Sequence, residues 1–191
     1  KLLTMKHFSF VILAMIIFMV GYSQPPTWSR SNAASVPQAA WKGRTTPKKF
    51  EIFKLNQTAM AARLSQAPSE KSVSVAKSGL TIELPDADGK LQTFSIVSAP
   101  VAAPGLLKKL NGAQSFSGQS TTDPNTVTRF SISNLGLNAI ISSPGKPTVY
   151  IRSLESKTGM HIIFTDDGTD PESFSCTTGD GTATLLKSLS P

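Results

Sequence analysis

The stretch Gly79–Val101, GLTIELPDADGKLQTFSIVSAPV, decides the fold. Leu80, Ile82 and Leu84 alternate with Thr81 and Glu83; after a polar break, Gln92, Phe94 and Ile96 alternate with Thr93 and Ser95. Period-two alternation on both sides of a Gly-containing connection predicts a β-hairpin with one buried face. Pro85 ends the first strand, and Asp86, Asp88 and Gly89 are residues that suit a tight turn.

Downstream of the hairpin the pattern repeats. Pro100 and Pro104 bracket a turn, Gly105–Leu110 reads as a short helix stopped by Asn111-Gly112, and Gln114–Gly118 reads as a short strand. A meander then follows, with one-sided apolar sets Thr128/Phe130/Ile132, Leu137/Ala139/Ile141, Val149/Ile151 and Met160/Ile162/Phe164. Gly and Pro punctuate it at Asn134-Leu135-Gly136 and Pro144-Gly145-Lys146-Pro147. Upstream, Phe50–Leu55 alternates as a first strand. Asn56 is placed as the N-cap of a helix whose Met60, Ala61 and Leu64 share a face, and Pro68 stops that helix. Ser72–Val75 reads as a further strand. The fold class is therefore mainly β (α+β): an antiparallel β-sandwich or curved sheet with one or two short helices. Leu80, Ile82, Phe94, Ile96, Phe130, Ile132, Val149, Ile151 and Phe164 are expected in one core.

The net charge of +7 over 191 residues is unevenly placed. Residues 24–71 hold eight Lys/Arg against Glu51 and Glu70, while residues 72–191 are close to neutral. A nucleic-acid partner needs a basic face with aromatic interleaving on the folded part, and the pattern offers none. At the N-terminus, Lys6 and His7 precede the apolar run Phe8–Val20 and then Gly21-Tyr22-Ser23. This order is that of a secretory signal peptide cleaved between Ser23 and Gln24, with Met5 as the start. A run of that length falls short of a membrane span. The expected domains are thus a signal region at 1–23, an extended basic linker at 24–49, a β domain at 50–165 and a flexible tail at 166–191. Of Trp28 and Trp41, the large anchors of the linker, one or both are expected to clasp the body.

Few residues carry chemistry. Asp86-Ala87-Asp88-Gly89 overlaps the start of a calcium loop, but the terminal Glu of that loop is missing and a hairpin tip accounts for all four residues. Asp166, Asp167 and Asp170 form a second acidic cluster, read as a solvated loop. His7 leaves with the signal, and His161 is expected half-exposed on the last strand. No HExxH, nucleophile elbow or phosphate loop is present. Cys176 is the single cysteine, so an internal disulfide is excluded. It pairs beyond Pro191, acts as a free thiol, or is incidental.

Several stretches together resemble the N-terminal region of bacterial reprolysin-like (adamalysin-type) zinc metallopeptidase precursors. Leu55-Asn56 with Met60, Leu64 and Ala67-Pro68 is similar to that family's L-D-x-x-x-L-x-x-x-L-x-x-A-P helix. Leu84–Lys90 with Ser98-Ala99-Pro100-Val101 resembles its P-x-A-D-G-x…A-P-V segment. Phe116–Gln119 followed by Asp123-Pro124 and Thr128-Arg129-Phe130 resembles its S-[YF]-x-G-x…D-P-x-A-T-x-R-[FL] segment. Thr148–Ile151 resembles its V-Y-I strand, although Arg152-Ser153 stands where the family carries Asp-Pro.

The resemblance implies a non-catalytic, propeptide-like domain that assists folding of a protease and keeps it latent. Its partner would be its own downstream metallopeptidase domain, and the zinc would belong to that domain, with no cofactor in this chain. The chain itself would be no enzyme, and it would be secreted, with no membrane anchor once the signal is cleaved. The resemblance also gives Cys176 a role as a cysteine-switch ligand to the downstream zinc, because a thiolate can fill the open position of a catalytic site. Phe174-Ser175-Cys176-Thr177 differs from the Pro-Lys-x-Cys-Gly context of such switches. The alternative reading is an interaction or adhesion β module of a secreted multidomain protein.

Overall fold

The hairpin forms where alternation places it, and it ends a sheet much larger than itself. A computed structural model describes residues 26–41, 46–101 and 113–165. Its first four strands are β1 (Trp28–Ser31), β2 (Phe50–Leu55), β3 (Thr81–Pro85) and β4 (Leu91–Ser98). Five more follow as β5 (Gln114–Ser120), β6 (Val127–Ser133), β7 (Gly136–Ser142), β8 (Val149–Glu155) and β9 (Met160–Thr165). Two helices are present among the described residues, the single turn α1 (Gln38–Trp41) and α2 (Gln57–Leu64).

All nine strands join one sheet in the order β1-β2-β9-β8-β7-β6-β5-β4-β3, and every pairing is antiparallel. From β3 to β9 the chain is a meander, with each strand paired to the next. β2 returns to pair with β9, which curls the sheet until its two ends meet. There the indole Nε1 of Trp28 on β1 donates to the carbonyl of Glu83 on β3 at 2.8 Å. Beside it, Lys49 pairs with Asp88 at 3.5 Å. The Arg30 guanidinium lies so close to Gly89 that a Cβ there would approach it to 2.8 Å. The sheet is therefore nearly closed, and side chains make the last seam.

Closure makes an inside and an outside. Phe53, Leu55, Ile82, Leu84, Phe94, Ile96, Phe116, Phe130, Ile132, Leu137, Ile151 and Ile163 fill the inside. Met60 and Leu64 join them from α2, so the helix plugs the sheet. Its start is fixed by Asn56, whose Oδ1 accepts from Ala59 N at 3.1 Å. Gly118 on β5 is needed where it stands, because a Cβ there would lie 2.6 Å from the Thr128 methyl. A smaller cluster lies outside: Val36, with Ala40 and Trp41 of α1, covers Ile52 on β2, Met160 and Ile162 on β9 and Leu154 on β8.

Three expectations change here. Within the stretch 24–49, expected as a linker, residues 28–31 are a strand of the sheet and Trp28 is buried at 4 % exposure. Both tryptophans do clasp the body, Trp28 from inside and Trp41 against Phe50 from outside. Phe164, expected in the main core, belongs to the outer cluster; the inward positions of β9 are His161 and Ile163. Both faces of β9 are buried because α1 covers the outer one, so alternation alone does not tell them apart. Ser72–Val75 forms no strand, and Val75–Lys77 is instead a 3-10 turn. The expected helix at Gly105–Leu110 lies outside the described residues.

Substituting Phe94, with 0 % exposure, by Ala should cost about 3–5 kcal/mol in urea unfolding. The same change at the partly exposed Phe164 should cost about 1–2 kcal/mol. Trp28→Phe keeps most of the apolar bulk but deletes the seam hydrogen bond, and should cost about 1–2 kcal/mol.

Candidate functional site

His161 is the described side chain with the most perturbed titration, and its surroundings are structural. β7 and β8 pair only over Ala139–Ile141, and β8 is irregular between Ser153 and Glu155. Leu137 lies just outside that paired span. His161 Nε2 reaches across and accepts from Leu137 N at 3.2 Å. Its Nδ1–H donates to the Gly159 carbonyl at 2.8 Å, since a carbonyl can only accept. The ring also packs edge-on against Trp28 with centroids 5.2 Å apart. With 1 % exposure, His161 is buried rather than half-exposed as expected. Burial pushes its pKa down from 6.5 to about 4, despite the hydrogen bond to the Gly159 carbonyl, which pushes it up. Both ring nitrogens are used in the neutral form, so His161 holds the fold and has no free nitrogen for a proton transfer.

The carboxylates at the hairpin tip are also turned to structural use. Asp86 Oδ1 accepts from the Asp88 and Lys90 amides at 2.9 and 2.8 Å, and Oδ2 accepts from Gln92 Nε2 at 3.1 Å. Gly89 takes φ 74°, and the four residues make a hairpin turn. Asp123 does the same for β5–β6. It accepts from Asn125 N at 3.1 Å and Thr126 Oγ1 at 2.7 Å. The Thr126 hydroxyl, then the Asn125 amide, hold its pKa below the ordinary carboxylate value. Among the described residues, no three of His, Cys, Asp and Glu gather as a metal site. No helix among them is long and apolar enough to cross a membrane. Ser23, Gln24, Asp166, Asp167, Asp170 and Cys176 lie outside the described residues.

What alternation did not single out is the outer face of β5–β8. Direct cross-strand partners there form one row: Ser117, Arg129, Ile140, Tyr150, Phe164 and Phe50. Tyr150 and Phe164 stack with centroids 5.4 Å apart and planes 20° apart. The Arg152 guanidinium lies over both rings, 5.6 and 5.9 Å from their centroids. Arg129, Ile140 and Tyr150 of this row line a groove of about 390 Å³, whose charged residues among those described are Arg129 and Arg152. The signal was in the sequence: the outward positions Ile140 and Tyr150 are apolar where a solvated face normally carries polar residues.

No family model, curated protein or solved structure matches this chain.

The His161 environment sets a pH dependence. Because the folded-state value lies below the unfolded one, the unfolded chain binds the extra proton between pH 6.5 and 4. The stabilisation is complete above about 6.5 and is lost as pH falls toward 4, amounting to about 3 kcal/mol. His161→Gln should flatten the urea midpoint over that window relative to the native chain. An unchanged slope would place the titration elsewhere.

Proposed function

We propose that this chain is the non-catalytic, propeptide-like N-terminal domain of a secreted zinc metallopeptidase precursor, assisting the folding of the protease and holding it latent. The observation that carries the reading is where the family-like residues fall. Asn56 caps α2, while Met60 and Leu64 plug the interior. Asp86 and Gly89 form the hairpin tip. Gly118 admits Thr128, and Asp123 fastens the β5–β6 turn. Each is a joint of the framework, and a shared set of joints is what a common fold requires. None of them brings a nucleophile, a base and an open cavity together, which suits a domain that works by contact. In this reading the zinc belongs to the downstream domain, and Cys176 is a candidate ligand to it from beyond the β body.

The outer-face groove favours a second reading, an interaction module of a secreted multidomain protein, because a row of apolar and cationic side chains at the surface is a recognition surface without chemistry.

The test begins by reading the gene beyond Pro191 for HExxH and expressing the full precursor with and without residues 26–165. Deletion should lower the yield of folded protease at least several-fold. The purified domain added in trans should inhibit the mature enzyme. Cys176→Ser in the intact precursor separates the two routes to latency: released activity assigns it to the thiol, and retained latency to the β domain. A gene with no protease downstream, or a protease equally folded and latent without these residues, would overturn the reading and leave the interaction module.

A further inference from the structure

The outer-face groove has a charge and a length, and together they describe an occupant. Arg129 lies in the row on β6, and Arg152 lies two residues along β8 from Tyr150, over the Tyr150–Phe164 stack, with Ile140 between Arg129 and Tyr150. Among the described residues the ion pairs are Arg30–Glu51 and Lys49–Asp88, so neither groove arginine is paired with a described carboxylate. Among the described residues, no acidic one lines the groove. A guanidinium laid on aromatic faces still directs its edge N–H groups outward, the arrangement that takes a carboxylate in two parallel hydrogen bonds.

From Arg129 on β6 to Arg152 on β8 the path crosses two strand intervals of about 4.8 Å and two residues along β8 at about 3.4 Å each, a diagonal of roughly 12 Å. An extended peptide rising about 3.3 Å per residue covers that distance in about four residues. We propose that this groove binds an extended acidic peptide segment with two carboxylates about four residues apart and an apolar side chain between them. The carboxylates meet Arg129 and Arg152, and the apolar side chain lies on Ile140 and the edge of Tyr150. A sugar chain fits less well, because Ser115, Ser131 and Asn138 are too few polar groups for its hydroxyls. This inference does not depend on the protease reading and is tested on the chain alone.

The experiment measures fluorescence anisotropy of a labelled Gly-Glu-Thr-Phe-Thr-Glu-Gly peptide with the full chain. Binding should weaken at least tenfold in the double variant R129E/R152E and severalfold in Y150A. It should also weaken as salt rises from 50 to 500 mM. The same peptide with Lys in place of Glu should not bind the native chain, and should bind R129E/R152E. Arg129 and Arg152 are exposed, so thermal unfolding of the double variant should match the native chain and separate lost binding from lost fold. No binding of the acidic peptide, equal binding by the double variant, or equal binding of the Lys peptide would overturn the proposal. So would displacement by a neutral oligosaccharide, or self-association abolished by the same substitutions without peptide binding.

Discussion

The contact on which the remainder of the structure depends is the seam between β1 and β3. A sheet of nine strands that stays open exposes two rows of unpaired backbone groups and one apolar face. Here the ends approach closely enough for one indole to span them, with Trp28 giving its N–H to Glu83 and its ring to the interior. Lys49–Asp88 and the Arg30–Gly89 contact lie along the same join. Exposed ion pairs of this kind contribute at most a fraction of a kcal/mol. The buried ring dominates, because it removes a large apolar area from water while satisfying its own polar atom and a carbonyl.

The same closure explains why a histidine can sit in the core. A strongly curved sheet cannot keep every ladder in register: the β7–β8 pairing covers only Ala139–Ile141, and the β8–β9 pairing shifts between Ser153 and Glu155. An orphaned amide inside the sheet would cost about 1–3 kcal/mol. His161 removes that cost by accepting from Leu137, its other nitrogen held by Gly159. Trp28 rests on that ring, so the seam and the repaired ladder support one another. Buried polar side-chain atoms without a partner are absent among the described residues, so closure has been reached without leaving any stranded.

The legible part of the fold was the part governed by near neighbours. The hairpin β3–β4 and the meander β6–β9 follow from alternation and turn residues, since consecutive strands pair with one another. Strand β1 was illegible because Trp28–Ser31 is four residues in a Pro/Ser-rich stretch, and becomes a strand only through pairing with β2. The faces of β9 were reversed for a related reason. Met160, Ile162 and Phe164 form the more apolar set, yet they lie under Val36 and Trp41, whose position is set by tertiary packing. The structural roles of Asp86 and Asn56 were readable from residue type alone, because turns and caps are local. The groove was not read, because an outward row is assembled from one residue on each of several strands.

Closure also decides what kind of recognition remains open to this chain. Adding a strand from a partner requires a free, regular edge. Here the edge strands are only four and five residues long, and their facing sides are occupied by Trp28, Arg30 and the hairpin tip. Recognition is therefore left to faces. The outer face of β2–β9 is already covered by Val36–Trp41, and much of the outer face of β4–β5 is set with small polar side chains such as Ser95, Ser115 and Ser117. Between them lies Arg129–Ile140–Tyr150 with Arg152, where apolar area, stacked rings and two guanidiniums coincide. Among the described residues, that is the most distinctive exposed surface of the chain.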